Sequence, residues 1–373
     1  MKILAIDTSC DETSVAITEG VKILSNVIWS QASQQAKFGG VMPSLAQRLH
    51  EERINWVVEQ AINKSQIPKN KIETIAITEG PGLAIALGVG IKKAKELAMQ
   101  LKVPLIGVNH IEGHLLSALA TSSTSPLRPS PNLGEGNLGG VKLPALGLVV
   151  SGGHTELVLI KEIGKYEILA ETTDDALGEA LDKAARMLGL GYPGGAILEK
   201  MAKLGNPKSF QLPMPMAQSE IKDKFSYSGL KTAMYRLVDK TKIDDKQVVC
   251  DLAASFQDRA FGHLERVIRY TIKTSLTLTG PLSPDSGERK REVDLLVGGG
   301  VAANIELRKR LRKLGKELGL QVRFPYSLKL CGDNAGMIGI AAAYKLSTIA
   351  KATVDKQDFD FIDRKPRWKI NEI

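Results

Sequence analysis

The sequence predicts an α/β protein made of two copies of one layout, and three observations carry this. Apolar runs of strand length alternate with longer stretches of helical periodicity. The opening order of strand, polar turn, strand, strand at Lys2 returns at Ala145. The chain has 373 residues, 43% of them hydrophobic, which exceeds one ordinary domain and supplies a real core.

In the first copy, residues 2–7 and 14–18 read as strands around a polar, carboxylate-bearing turn (8–13), with a third strand at 21–28. Residues 31–40 read as a loop. Residues 43–64 have helical periodicity, and Pro43 suits a first helical turn. A strand (72–78), a tight turn (79–82), a helix (83–101) and a strand (104–108) follow, and then residues 109–114 open a segment, 115–120, that reads as a helix. Residues 121–144 are rich in Ser, Pro and Gly, bury no face, and read as a surface insertion at a domain boundary.

The second copy begins with strands at 146–150, 157–160 and 166–170 around a turn at 151–155. Helices follow at 175–188, 196–204, 229–239 and 248–275, then a second polar insertion at 280–292. A strand (293–297) runs through three glycines into a helix (302–318). A strand (322–324) and an apolar helix (333–346) complete the pattern. The expected division is an N-terminal lobe of 1–120 plus 333–373, the insertion 121–144, and a C-terminal lobe of 145–332.

Composition narrows the class of function. The net charge of +9 favours a polyanionic partner without proving one. The basic residues cluster late, around Arg289, Arg308 and Arg364, and a solvated helix face explains the middle cluster equally well. Aromatics are 5%, too few for a stacking platform for single-stranded nucleic acid. Three scattered cysteines (Cys10, Cys250, Cys331) predict a reducing, cytoplasmic setting and no thiolate zinc site. No apolar run has the length of a membrane span, and Asp7 interrupts the first apolar run, so no signal peptide is expected.

His110 and His114 are two of only five histidines and lie four residues apart, one turn on one helix face. Two imidazoles in that geometry suit a divalent metal; the alternative is one helix cap and one core histidine. Asp333, at the start of the last helix, reads as an N-cap or as the carboxylate that completes a two-histidine, one-carboxylate set. Ser151, Gly152 and Gly153 make either an ordinary hairpin turn or a backbone approach to an anion. Asp7, Thr8 and Ser9 occupy the matching place in the first copy, and two such hairpins facing each other would grip phosphate. Gly298, Gly299 and Gly300 before a helix suit either a nucleotide or close strand–helix packing, and Asn304 suits an adenosine contact. Asp182, with Gly194, Gly195 and Glu199 downstream, reads as a ribose-binding acid or as a solvated helix face.

Taken together, the segments around Asp7–Thr13, Thr78–Leu83, His110–His114, Val150–Thr155, Phe225–Thr232, Gly299–Asn304 and Asp333–Asn334 resemble the tRNA N6-adenosine threonylcarbamoyltransferase family, formerly called O-sialoglycoprotein endopeptidases. The resemblance covers nearly the whole chain. It implies the actin-like fold of two ribonuclease H-like lobes around a cleft. It implies one divalent metal, Fe2+ ahead of Zn2+, on His110, His114 and Asp333. It also implies binding of threonylcarbamoyl-AMP by Val149, Val150, Ser151, Gly152, Gly153, Asp182, Gly195, Glu199 and Asn304. The implied reaction is an acyl transfer to the adenosine just 3′ of the anticodon (position 37) of tRNAs reading ANN codons. The implied partners are tRNA, an inactive paralogue of the same fold and a P-loop ATPase, with no membrane. No general base is identified. Gln35 and Ser44 depart from residues common in the family, at positions that bear on partner contacts or loop-mediated substrate handling and not on the chemistry.

Two rivals are weighed against this. A metalloprotease needs Glu directly after the first His, about 100° round the helix; Glu112 is two residues on, about 200° round, and faces away from a metal held by both histidines. The alternative is an ATP-dependent small-molecule kinase of the same fold, which would have no use for His110 and His114.

Overall fold

The computed structural model describes residues 1–121, 137–138, 140–241, 243–274, 293–348 and 361–373. Most of the 121–144 insertion, the whole 280–292 insertion and the basic residues Arg289, Lys290 and Arg291 lie outside them.

The first sheet has five strands: β1 (Lys2–Asp7), β2 (Glu12–Glu19), β3 (Lys22–Ser30), β4 (Thr74–Gly80) and β5 (Leu105–Asn109), in the order β3-β2-β1-β4-β5. β1 pairs antiparallel with β2, and β4 runs parallel to both β1 and β5. Every residue of β4 and β5 is buried, as expected for parallel strands covered on both faces. One face packs against α2 (Pro43–Ser65) and α3 (Ala84–Leu101), where Leu4, Ile6, Ile77 and Leu87 meet in the core. Each of these side chains stabilises the fold by about 1.5–3 kcal/mol through burial. The last helix, α10 (Ala335–Thr348), packs on β1 and β2. Small residues permit this: a Cβ on Gly339 would come within 2.7 Å of the Thr18 methyl.

A two-stranded ribbon, β6 (Asn137–Leu138) with β7 (Val141–Lys142), precedes the second sheet. That sheet comprises β8 (Ala145–Val150), β9 (Thr155–Glu162), β10 (Lys165–Glu171), β11 (Val293–Gly298) and β12 (Leu320–Arg323). Its order, β10-β9-β8-β11-β12, repeats that of the first, and β8 and β11 are parallel. Its helices are α5 (Leu177–Met187), α6 (Gly195–Ala202), α7 (Ser228–Lys240), α8 (Lys246–Thr274) and α9 (Ile305–Leu318). The repeated strand order bears out the duplicated α/β layout read from the sequence. The chain forms two compact units. One comprises Met1–Leu143, Ile160–Glu167 and Arg323–Ile373; the other comprises Pro144–Leu159 and Ile168–Val322.

Four local expectations are corrected. Residues 31–40 are not all loop: α1 (Ala32–Gln35) and a 3-10 turn (Ala36–Phe38) form there. The buried Gln35 amide donates to Gln31 Oε1 at 3.1 Å, and its Oε1 accepts from Met42 N–H at 2.9 Å, so Gln35 holds this turn to the start of α2. The helix after β5 begins at His110, not later; α4 (His110–Leu116) passes into a 3-10 turn at Ser117–Leu119. The helix expected from Ala302 begins at Ile305, after a 3-10 turn at Gly300–Ala303. The last helix begins at Ala335, and the residue whose side chain accepts from its first turn is Asn334 (from Met337 N–H, 3.1 Å), not Asp333.

Candidate metal centre and nucleotide-binding turns

Asn109 ends β5 and caps α4: its Oδ1 accepts from Ile111 N–H at 2.9 Å and Glu112 N–H at 3.3 Å. That cap fixes where the helix starts, and so puts His110 and His114 one turn apart. Their ring centroids are 4.6 Å apart and their planes are 80° apart. Asp333 Oδ1 lies 3.5 Å from His110 Nε2 and 3.1 Å from His114 Nε2. With Asn334 serving as the cap of α10, Asp333 is released to face the imidazoles. The three donors lie within 4.8 Å of one another. Two ligands on a tetrahedral ion with bonds of about 2.1 Å stand about 3.4 Å apart, which matches both measured separations.

The electrostatics agree with a cation site. Burial opposes charging His110, but the Asp333 and Asp7 carboxylates outweigh it and lift the imidazole to about 9. Burial keeps His114 below its ordinary value, and charge on His110 adds to this. Burial alone would raise Asp333, yet the two imidazoles hold it well below the usual carboxylate range. The three side chains thus pair one proton on His110 with an anionic Asp333, and a divalent cation can take that proton's place. Among the described residues, neither ring nitrogen of the buried His114 finds a hydrogen bond of good geometry, nor does His110 Nδ1, so the donor set fits a metal.

The β1–β2 turn lies beside Asp333 and carries further titratable groups. Burial and the Asp11 and Asp333 charges raise the Glu12 carboxyl well above its usual value, and the same influences raise the Cys10 thiol. Glu112 faces away from the histidines, as the helical angle requires: its Oε1 accepts from the Tyr166 hydroxyl at 2.6 Å.

The second unit holds the other residues singled out. Val149 and Val150 end β8 and are fully buried. Ser151 N–H donates to His154 O at 2.8 Å, and Ser151 Oγ accepts from His154 N–H at 3.0 Å, closing the turn. Gly152 and Gly153 are exposed, neither has a positive φ, and a Cβ on either would meet nothing within 4 Å. The turn itself therefore gives no reason for glycine. Gly299 is different: its φ is +94°, and a Cβ there would strike Val150 O at 2.3 Å, which supports the packing reading for this glycine. Asp182 Oδ1 accepts from Gly194 N–H at 2.9 Å and Gly195 N–H at 2.7 Å, so Asp182 and Gly195 are brought together. Glu199 Oε1 accepts from Ile305 N–H at 3.0 Å, at the start of α9. Asn304 is the N-cap of that helix, with Oδ1 accepting from Leu307 N–H at 3.0 Å and its amide donating to Gln257 Oε1 at 2.9 Å. Its polarity thus already has a structural use. The α9 basic cluster is largely tied up: Arg310 pairs with Asp258, Glu265 and Glu306, and Arg308 Nε donates to Ala302 O at 2.6 Å.

Sequence reasoning missed three partners of the histidine helix. They are the Asn109 cap, which its place four residues after Leu105 and three before Glu112 could have signalled, the Tyr166 contact, and Asp7 beside His110.

Two like sheets in ribonuclease H order, with a His-His-Asp donor set at the end of the first, define an α/β protein of the actin-like ATPase fold with a candidate metal centre. Solved structures agree on the fold. Full-length HypF in its phosphate- and nucleotide-bound form superposes with a TM-score of 0.55 at 14% identity, over 94% of this chain and 47% of that one. HypF from T. kodakarensis gives 0.51 at 14%, over 93% and 48%. This chain therefore spans about half the length of either. The model of the TsaD family, tRNA N6-adenosine threonylcarbamoyltransferase, matches residues 22–340. Relatives with that name include those of Nostoc punctiforme, 44% identical over 92% of this chain and 91% of its own length, and Clostridioides difficile, 42% identical over 99% and 98%. The chain belongs to the tRNA N6-adenosine threonylcarbamoyltransferase family, and it is a transferase of tRNA modification. Among the described residues, no helix is long and apolar enough to cross a membrane.

Proposed function

We propose that the chain transfers the threonylcarbamoyl group of threonylcarbamoyl-AMP to N6 of adenosine 37, just 3′ of the anticodon, in tRNAs that read ANN codons. The new bond joins N6 to the carbamoyl carbon. The carbon–oxygen bond to the phosphate breaks, AMP leaves with the electron pair, and N6 gives up a proton. The observation that carries this is the convergence of His110, His114 and Asp333 at ligand spacing in a chain of this family.

A divalent cation on His110, His114 and Asp333, Fe2+ ahead of Zn2+, would supply Lewis-acid polarisation of the acyl carbonyl. The chain's own residues bind and orient. Among the described residues, neither Gly152 nor Gly153 donates its N–H within the protein, so both can address the adenylate phosphate. Val149 and Val150 hold that turn at the end of β8. Asp182, set by two backbone N–H groups, and Gly195 serve the ribose; Glu199 and Asn304 border the adenosine where α9 begins. No side chain is assigned as general base. In this reading the protein works in the cytoplasm with an inactive paralogue of its fold and a P-loop ATPase.

The test is to incubate the protein, with those two partners, with threonylcarbamoyl-AMP and unmodified tRNA, and to analyse tRNA nucleosides by mass spectrometry. The modified adenosine should appear, and should vanish when His110 and His114 are both Ala in a folded protein. ATP turnover on a small acceptor with no tRNA product would favour a kinase instead.

A further inference from the structure

One buried carboxylate near the candidate metal centre has no task in this reading. Asp7 closes β1 and is 0% exposed. Among the described residues, its Oδ1 accepts a single hydrogen bond, from Ser9 N–H at 3.2 Å, and its Oδ2 has no partner. His110 Nδ1 is also buried with no hydrogen-bond partner among the described residues, and it lies 3.9 Å from Asp7 Oδ1. A buried carboxylate so poorly bonded is costly unless another group compensates it.

The geometry assigns the compensation. The two carboxylates approach different nitrogens of one ring: Asp333 Oδ1 lies 3.5 Å from Nε2, and Asp7 Oδ1 lies 3.9 Å from Nδ1. Asp7 is not among the three donors that lie within ligand spacing of one another, so the contact open to it is with the imidazole. A neutral imidazole that offers its Nε2 lone pair must carry its proton on Nδ1. That buried N–H needs an acceptor, and 3.9 Å is beyond hydrogen-bond range by less than a small rotation of ring or carboxylate can recover.

We propose that Asp7 is a positioning residue: it accepts the Nδ1 proton of His110 and so fixes the tautomer and orientation in which Nε2 faces the cation. This rests on the metal reading above. Partners of this kind typically change metal affinity about 10- to 100-fold when removed.

The experiment is titration of the metal-free protein with Co2+, followed by its visible absorption, for the unaltered chain, Asp7→Asn and Asp7→Glu. Circular dichroism establishes that each is folded. Asp7→Asn should bind Co2+ about 10- to 100-fold more weakly, and Asp7→Glu should recover part of the loss. Equal Co2+ affinity in folded Asp7→Asn overturns the proposal and leaves the metal reading standing. An unaltered chain that takes up no Co2+ overturns the metal reading, and Asp7 with it. A second measurement needs no Asp7 variant: 15N-histidine spectra of the Zn2+-loaded protein, with His110 assigned by its loss in His110→Gln. They should show His110 protonated on Nδ1 with that proton far downfield. Protonation on Nε2, or an Nδ1 proton at the ordinary imidazole position, overturns the assignment.

Discussion

The Tyr166 hydroxyl donates to Glu112 Oε1 across 2.6 Å, and both side chains are buried. Glu112 sits between the two histidines in sequence yet spends its carboxylate on the β9–β10 hairpin. Tyr166→Phe removes a partner from a buried acceptor and should lower stability by about 1–3 kcal/mol. Glu112→Gln keeps an oxygen for Tyr166 and should cost less. In urea unfolding the double variant should lose less than the sum of the two. Strict additivity would show that the pair does not interact.

Glycines on either side of one contact should behave oppositely. Gly178→Ala puts a Cβ 2.5 Å from Ser151 O and should destabilise the fold markedly. Gly152→Ala meets nothing within 4 Å and should leave the melting temperature unchanged. Its effect should appear as weaker AMP binding by calorimetry. Unaltered AMP affinity in Gly152→Ala would remove this turn from the nucleotide site.

Asn304 has a structural duty that can be separated from a nucleotide contact. Asn304→Ala loses the helix cap and should cost about 1–2 kcal/mol in thermal unfolding. Asn304→Asp keeps a capping oxygen but gives up the amide that donates to Gln257 Oε1, so it should recover only part of that loss. If Asn304 also borders the adenosine, both variants should bind AMP less tightly, although they differ in stability.

His263 makes stability fall on the acid side. Burial, and then the Arg266 guanidinium, holds it down to about 4. Its Nε2 accepts from Ser226 N–H at 3.1 Å, a bond that protonation abolishes. In the unfolded chain the imidazole titrates near 6.5, so between about 6.5 and about 4 the unfolded state takes up a proton that the folded state refuses. The contribution is complete above about pH 6.5 and is lost as pH falls toward about 4, by up to about 3 kcal/mol. Urea midpoints across that range should drop in the parent and drop less in His263→Gln.

Features that depend on local periodicity were legible in the sequence; features that depend on side-chain direction across the fold were not. The spacing of His110 and His114 and the outward turn of Glu112 follow from helical geometry alone, and both stand in the structure. The duplicated layout showed because both sheets begin with the same hairpin order. Asp333 read equally as a cap, because only the position of Asn334 one residue later decides which of them turns to Met337. The start of α9 was misplaced because a 3-10 turn has almost the same apolar pattern as a helix, and that error hid the capping role of Asn304. Crowded Gly178 and open Gly152 look alike in a sequence, since the difference lies in what approaches them.

The first unit is written in three pieces, and α10, which lies on β1 and β2, belongs to the last of them. A ribosome makes that sheet early and its covering helix only after residues 168–322 have been translated. Until then the apolar side that α10 will occupy is bare, and Asp333 has not joined the histidines. The nascent chain thus carries an adhesive half-built layer through most of its synthesis, which makes it a natural client for chaperones that shield apolar surface.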